Sequence, residues 1–467
     1  MFAPLHFQSL SSLVHQMREG KISVVDVTEH HLKRIVDLEP MLHAFAQIRA
    51  DEARVEARAA DARRSRGEPL GMLHGAPMAV KDLCAMAGTE TRAGGFFSTG
   101  FKPADTATVV RRLQDAGAII IGKAQLTEGA WGTHHPDIMA PVNPWAPHRW
   151  SGSSSSGSGV SVAAGLAAGA IGTDTAGSIR YPSAANGLVG LKPTWGRVSR
   201  HGVFPLSDTF DHIGPMARTV QDAALIFASI TGVDAADPTS LDVAADDWVG
   251  AARNGTLKGV RIGVDQAYTF ESIDPVMAET FGKALNLCVT QGGELVDVSL
   301  PAVDDILVLA IVAAFAEAAI SHEKTYPSQQ SRYSAGYSEI LDIGHRATGI
   351  ELARVAIWRR EFAGYLARTF KFVDLLAVPV LPMPPLTVTE MAAMSGSSPL
   401  AAAGFMKFTI PFNLASQPTL TLPMGRLADQ TPLGFQFVGP VLGERAILSA
   451  GAAYEKAAGF VGQYPSL

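Results

Sequence analysis

Apolar residues recur at helical spacing near the start of the chain and at strand spacing soon after, and the two patterns keep alternating. Within residues 9–66, Ser23 with Asp26 three positions on precedes Val27, His31, Ile35 and Leu38, which predicts a capped amphipathic helix stopped by Pro40. Residues 51–66 predict a second helix with a wide polar face, ended by Gly67. Residues 76–83 (APMAVKDL) read as a short buried strand running into a loop. Asp105 is placed to cap a helix through Val109, Val110 and Leu113 to Gly117, and residues 118–121 are a β-branched run bounded by Gly122. Strand, helix, strand is a βαβ unit, so the expected class is α/β with a sheet that contains parallel strands.

The tract 151–159 (SGSSSSGSG) has the composition of a flexible linker. Its flanks argue against that reading, because Trp150 precedes it and the apolar stretch 160–171 follows with no polar spacer. A tight loop inside a core is expected instead. Helix is then predicted over 160–168 and strand over 170–173. Further on the pattern predicts helices over 219–231, 274–292 and 350–370, and strands over 260–264, 295–298 and 374–380. No internal repeat is found, and the N-terminal helices are expected over about 9–66. Residues 381–406, rich in Pro, Met, Ala, Gly and Ser, are expected to form a long mobile loop, either a lid or a passive connection.

Composition narrows the function. The chain has 467 residues, 47% of them hydrophobic, and a formal net charge of -6 with no local basic patch, so neither nucleic acid nor a membrane surface is an expected partner. The longest strongly apolar run, 306–316, falls short of the ~20 residues a spanning helix needs and predicts a buried helix. The N-terminus lacks the basic and apolar regions of a signal peptide. Cys84 and Cys288 are far apart, which excludes a disulfide framework and a cysteine zinc cage and fits a cytoplasmic location. A homodimer is the expected state only on the frequency of dimers among soluble enzymes.

Several common chemistries are missing: there is no GxxxxGK[ST], HExxH, EF-hand loop or GxSxG elbow. His134/His135 with Asp137 have some appeal as metal ligands, but no second cluster supports them, and packed or surface histidines are preferred. No metal and no cofactor are expected.

Three segments remain: Lys81 in GAPMAVKDL, the serines of WSGSSSSGSGVSVAAGL, and GTDTAGSIRYPSAANGLVGLKPT. In that order they resemble the motifs of the amidase signature family of serine hydrolases. Weaker echoes at 122–129 (GKAQLTEG), 143–145, 408–425 (FTIPFNLASQPTLTLPMG) and 432–440 (PLGFQFVGP) extend the resemblance over most of the chain. It implies the amidase signature fold, a large mixed β-sheet with parallel strands covered by helices on both faces, as one domain over 1–467 with a catalytic core over about 75–230, and a nucleophile at Ser178. It also implies a bridging serine preceded by a cis peptide bond, and a lysine at Lys81. The family's spacing of 24 residues selects Ser154 for the bridge, with Ser155 second, because Ser153 and Ser156 replace glycines of the usual pattern. An oxyanion hole is expected from the N–H groups of Thr175, Ala176, Gly177 and Ser178, and a supporting role for Asp174 and Arg180. Ala176 stands where the family has glycine, so its φ should be negative.

The chemistry is reasonable without the resemblance. Amide cleavage needs a base within reach of the serine, and a lysine serves only when neutral, which burial promotes. The implied reaction is hydrolysis of a C–N acyl bond in a small amide or carbamate through an acyl-enzyme. The alternative is the glutamine-hydrolysing subunit of a tRNA-dependent amidotransferase. Trp131, Met139 and Trp145, with Met383, Met391, Met394 and Met406, are candidates to line an apolar pocket for an aryl substrate.

Overall fold

The computed structural model describes residues 3–271, 273–398 and 400–467. Among them eleven strands form one continuous sheet: β1 (Phe45–Ile48), β2 (Pro77–Lys81), β3 (Ile119–Ala124), β4 (Gly169–Asp174), β5 (Val189–Lys192), β6 (His212–Ala217), β7 (Arg261–Val264), β8 (Glu294–Asp297), β9 (Leu375–Pro379), β10 (Thr419–Arg426) and β11 (Pro432–Val438). Their spatial order is β1-β3-β2-β4-β6-β5-β10-β11-β9-β7-β8. β2 runs parallel to β3 and β4, and β7 parallel to β8 and β9; the other pairings are antiparallel. The sheet is therefore mixed, and β2 and β3 are the parallel pair that the βαβ reading of residues 76–121 implied.

Both faces of the sheet are buried. Successive strand residues point to opposite faces, and in β9 Leu375 and Ala377 join one hydrophobic core while Leu376 and Val378 join the other. The first core takes Leu32 and Ile35 from the helix Val24–Leu42 and Ile447 from the helix Glu444–Ala458. The second takes Phe315, Leu341 and Phe362 from the helices Asp304–His322, Ala335–Arg346 and Gly349–Thr369. By length and composition Asp304–His322 is apolar enough to cross a membrane; here 61% of its apolar stretch is buried within the protein.

Several boundaries differ from the sequence reading. Pro40 does not stop the second N-terminal helix, which continues to Leu42 and ends where His43 takes a left-handed conformation (φ 51°). The proline lacks only its own N–H, so the ladder forfeits the one bond to the Val36 carbonyl and the helix continues two residues further. Asp105 caps nothing: the helix there is Thr108–Asp115, with Ala107 at its N-cap. The helix after the serine tract starts earlier than expected, at Ser156, and runs to Ala163. Its second residue, Gly157, packs against backbone, where a Cβ would lie 2.3 Å from the Ala44 carbonyl oxygen. The tract is an internal helix start, buried from Ser154 to Ala163.

The segment 381–406 is not an unbroken loop. It holds the helix Val388–Ser397, opened by a reciprocal capping box between Thr387 and Glu390, and a 3-10 turn, Ala403–Met406. Pro399 lies outside the described residues.

Candidate active site

β2 and β4 are parallel neighbours, with Val80 opposite Ile171, so their C-terminal ends bring Lys81 beside Thr173 and Asp174. The carboxyl ends of parallel strands are where α/β sheets place their ligands. Lys81 is fully buried, and its Nζ donates to Ser154 Oγ at 2.7 Å and to Thr173 Oγ1 at 2.8 Å. Burial lowers the lysine pKa to about 7, against a partial upward pull from Asp211, Cys84 and Asp174. Its neighbour Asp82 does not neutralise it, because the Asp82 carboxylate is 2.6 Å from Nζ of Lys123.

The peptide bond between Ser153 and Ser154 is cis. Ser155 is engaged elsewhere: its Oγ donates to the Thr173 carbonyl at 3.2 Å and accepts the Thr173 N–H at 3.3 Å. Of the two serines considered for the bridge, Ser154 is the one that meets Lys81. The Ser155 N–H donates to the Ser178 carbonyl at 3.3 Å, which joins the serine loop to the loop carrying Ser178. No hydrogen bond among the described residues links the Ser154 and Ser178 hydroxyls; such contacts often tighten only when substrate binds.

Asp174 organises the Ser178 loop. Its Oδ1 accepts the Gly177 N–H at 2.9 Å and Arg180 Nη2 at 2.8 Å, and its Oδ2 accepts the Ile179 N–H at 3.1 Å and Arg180 Nε at 3.0 Å. Burial alone would raise this carboxyl's pKa, but Arg180, Lys192 and the Asn413 amide outweigh it and hold it well below the usual carboxylate range. The Arg180 guanidinium also donates to the Thr409 carbonyl at 2.9 Å and to Asn413 Oδ1. Among the described residues the N–H groups of Thr175, Ala176 and Ser178 find no protein acceptor, whereas that of Gly177 is committed to Asp174. Three of the four expected oxyanion donors are therefore available. Ala176 keeps a negative φ, and Gly177 takes φ 133°, where a Cβ would lie 2.4 Å from the Tyr181 ring.

Ser178 opens onto a cavity of about 370 Å³. Trp131, Trp150, Tyr181, Ile340, Met391 and Phe405 give it an apolar wall, and its described lining includes Glu128 and Glu339 but no Lys, Arg or His. Trp131, Met391 and Met406 thus stand where the sequence suggested, whereas Met383 and Met394 are not part of the wall. Met139 is also elsewhere, 65% exposed beside a shallow groove at Val36 and Ile48. Trp145 lines a separate cavity of about 940 Å³, with its ring 3.9 Å from the Arg426 guanidinium and its N–H on the Asn186 carbonyl. Periodicity marks both as apolar or amphipathic positions but cannot say which cavity they face.

His134 Nε2 pairs with Ser156 Oγ at 2.9 Å, and burial lowers its pKa to about 4; His135 Nδ1 accepts the Asp137 N–H. Sequence reasoning missed Thr173, the second acceptor for Lys81, although it lies inside the quoted GTDTAGS stretch. It also missed Glu128, whose carboxylate accepts the N–H and hydroxyl of Ser334 at the cavity wall.

The chain is 39% identical over 453 residues to a putative amidase, AmiD, of Mycobacterium tuberculosis, covering 97% of this chain and 94% of that one. It is 35% identical to a glutamyl-tRNA(Gln) amidotransferase subunit from Chloroflexus aggregans, covering 99% of both. Its fold matches a bacterial aryl acylamidase of the amidase signature family with a TM-score of 0.88 at 25% identity, covering 98% of this chain and 97% of that one. With the Amidase family profile matching residues 26–448 as well, the chain belongs to the amidase signature family, whose members hydrolyse amide C–N bonds.

Proposed function

We propose that this amidase cleaves small uncharged amides, with aryl amides and carbamates the favoured classes, through an acyl-enzyme on Ser178. The observation that carries this reading is the buried Lys81–Ser154 contact beside a cavity that opens at Ser178. Ser178 Oγ attacks the carbonyl carbon and passes its proton to Ser154, which passes its own to neutral Lys81. Negative charge on the carbonyl oxygen is met by free N–H groups of the 175–178 loop. On collapse of the tetrahedral species the C–N bond breaks and the amine leaves with the proton returned through Ser154. Water then releases the acid by the same relay.

The cavity supports an uncharged substrate over glutamine. Glutamine at neutral pH is a zwitterion: carboxylates in the lining could meet its α-ammonium, but its α-carboxylate would need a cationic or strongly donating partner once desolvated. The described lining offers no cation and adds two carboxylates. Incubation of the isolated chain with an anilide, a carbamate and glutamine is expected to release aniline or amine but little ammonia from glutamine. Glutaminase activity exceeding anilide turnover would favour the amidotransferase reading.

The same wall predicts selectivity. Trp131→Ala and Met391→Ala should each lower kcat/KM for an anilide relative to acetamide by roughly tenfold, since truncation removes apolar contact that only the larger substrate makes. An unchanged ratio would show that these side chains do not select the substrate.

A further inference from the structure

Thr409 lies 231 positions after Ser178 in the chain, just before the short helix Ile410–Leu414, yet it touches the oxyanion loop. Its Oγ1 donates to the Ala176 carbonyl at 2.6 Å. The other end of the same peptide unit, the Gly177 N–H, donates to Asp174 Oδ1 at 2.9 Å. Both polar ends of the 176–177 peptide are therefore held, and the plane cannot rotate without breaking two buried hydrogen bonds.

The orientation matters because of what a rotation would present. With the Ala176 carbonyl held against Thr409, the loop leaves the Ala176 and Ser178 N–H groups unpaired. A peptide turned the other way would aim a carbonyl oxygen toward those donors, and its partial negative charge would oppose the charge that develops on the substrate. The Thr409 hydroxyl has one proton, and the Ala176 carbonyl is its shortest acceptor; the Met406 carbonyl is at 3.2 Å. Tyr181 OH lies 2.5 Å from Thr409 Oγ1, and with the single Thr409 proton committed to the Ala176 carbonyl it is Tyr181 that donates across this contact. The resulting chain runs from Tyr181 O–H to Thr409 O–H to the Ala176 carbonyl.

We infer that Thr409 is a positioning residue for the oxyanion hole, acting through the Ala176–Gly177 peptide and touching no substrate itself. The inference rests on the reading of Ser178 as nucleophile. Thr409→Val keeps the shape and removes the hydroxyl, and is expected to lower kcat by roughly tenfold to a hundredfold, below the loss seen when an oxyanion donor itself is removed. KM and the pH midpoint of the rate should stay near wild type, and Thr409→Ser should restore most of the rate. Tyr181→Phe should give a smaller loss, because Thr409 keeps its own donor. The decisive ratio is affinity for a tetrahedral mimic such as a trifluoromethyl ketone over affinity for the product acid, which should fall in parallel with kcat. Wild-type kcat in Thr409→Val, or a loss that Thr409→Ser does not repair, would overturn the positioning role while leaving the nucleophile reading intact. Retained activity in Ser178→Ala would instead overturn the reading beneath it.

Discussion

Ser178→Ala is expected to lower kcat by about 10⁵–10⁶-fold while leaving the thermal unfolding midpoint unchanged. The Ser178 hydroxyl makes no hydrogen bond to any described residue and lines the cavity, so its loss leaves no buried partner unsatisfied. What disappears is the covalent route itself; the donors of the 175–178 loop and the substrate wall remain. Intact-protein mass spectrometry after exposure to a fluorophosphonate should show one adduct on wild type and none on the variant. Turnover near the wild-type rate in Ser178→Ala would end the acyl-enzyme reading.

Lys81→Met is expected to cost about 10³–10⁴-fold in kcat, the upper range for removal of a general base. Wild-type activity should rise with pH through a midpoint near 7 as Lys81 loses its proton, then level off; the variant's residual rate should lack that limb. Lys81→Arg should be equally inactive, since guanidinium stays protonated and cannot accept from Ser154. Stability should respond in the opposite sense. An unfolded lysine holds its proton to about pH 10.4, so between about pH 7 and 10.4 the unfolded chain binds more protons than the folded one, and stability rises with pH there. The destabilising contribution is complete below about pH 7 and fades as pH rises toward 10.4, so Lys81→Met should melt at or above the wild-type temperature at neutral pH. An acidic optimum, or a preserved limb near pH 7 in the variant, would assign the base to another residue.

Much of the site was legible because its parts sit in short segments with unusual composition. Lys81 ends an apolar strand, the serines form a tract flanked by apolar residues, and Asp174 and Arg180 bracket the Ser178 loop. What escaped was mostly the long-range contact. Asn413, Gln436 and Thr409 lie in stretches that the family resemblance already covered, but their contacts with Arg180 span about 230 to 260 positions, and no spacing rule encodes them. Thr173 was obscured for another reason: a threonine in a strand fits β propensity and gives no sign of which hydroxyl partner it will meet. Other misses were avoidable. Thr387 and Glu390 are a capping box in plain sequence, and they mark the start of the helix within 381–406.

The Asp174–Arg180 pair has a consequence in time. Arg180 is fixed by Thr409, Asn413 and Gln436, and β5, which follows the nucleophile loop, pairs with β10. On the ribosome Ser178 is therefore made more than two hundred residues before Thr409, Asn413 and Gln436, which fix Arg180. Until the last strands dock, the nascent chain carries Ser178 without a fixed cradle for the oxyanion. On the proposed reading of Ser178 as nucleophile, arming of the site is thus coupled to completion of the sheet.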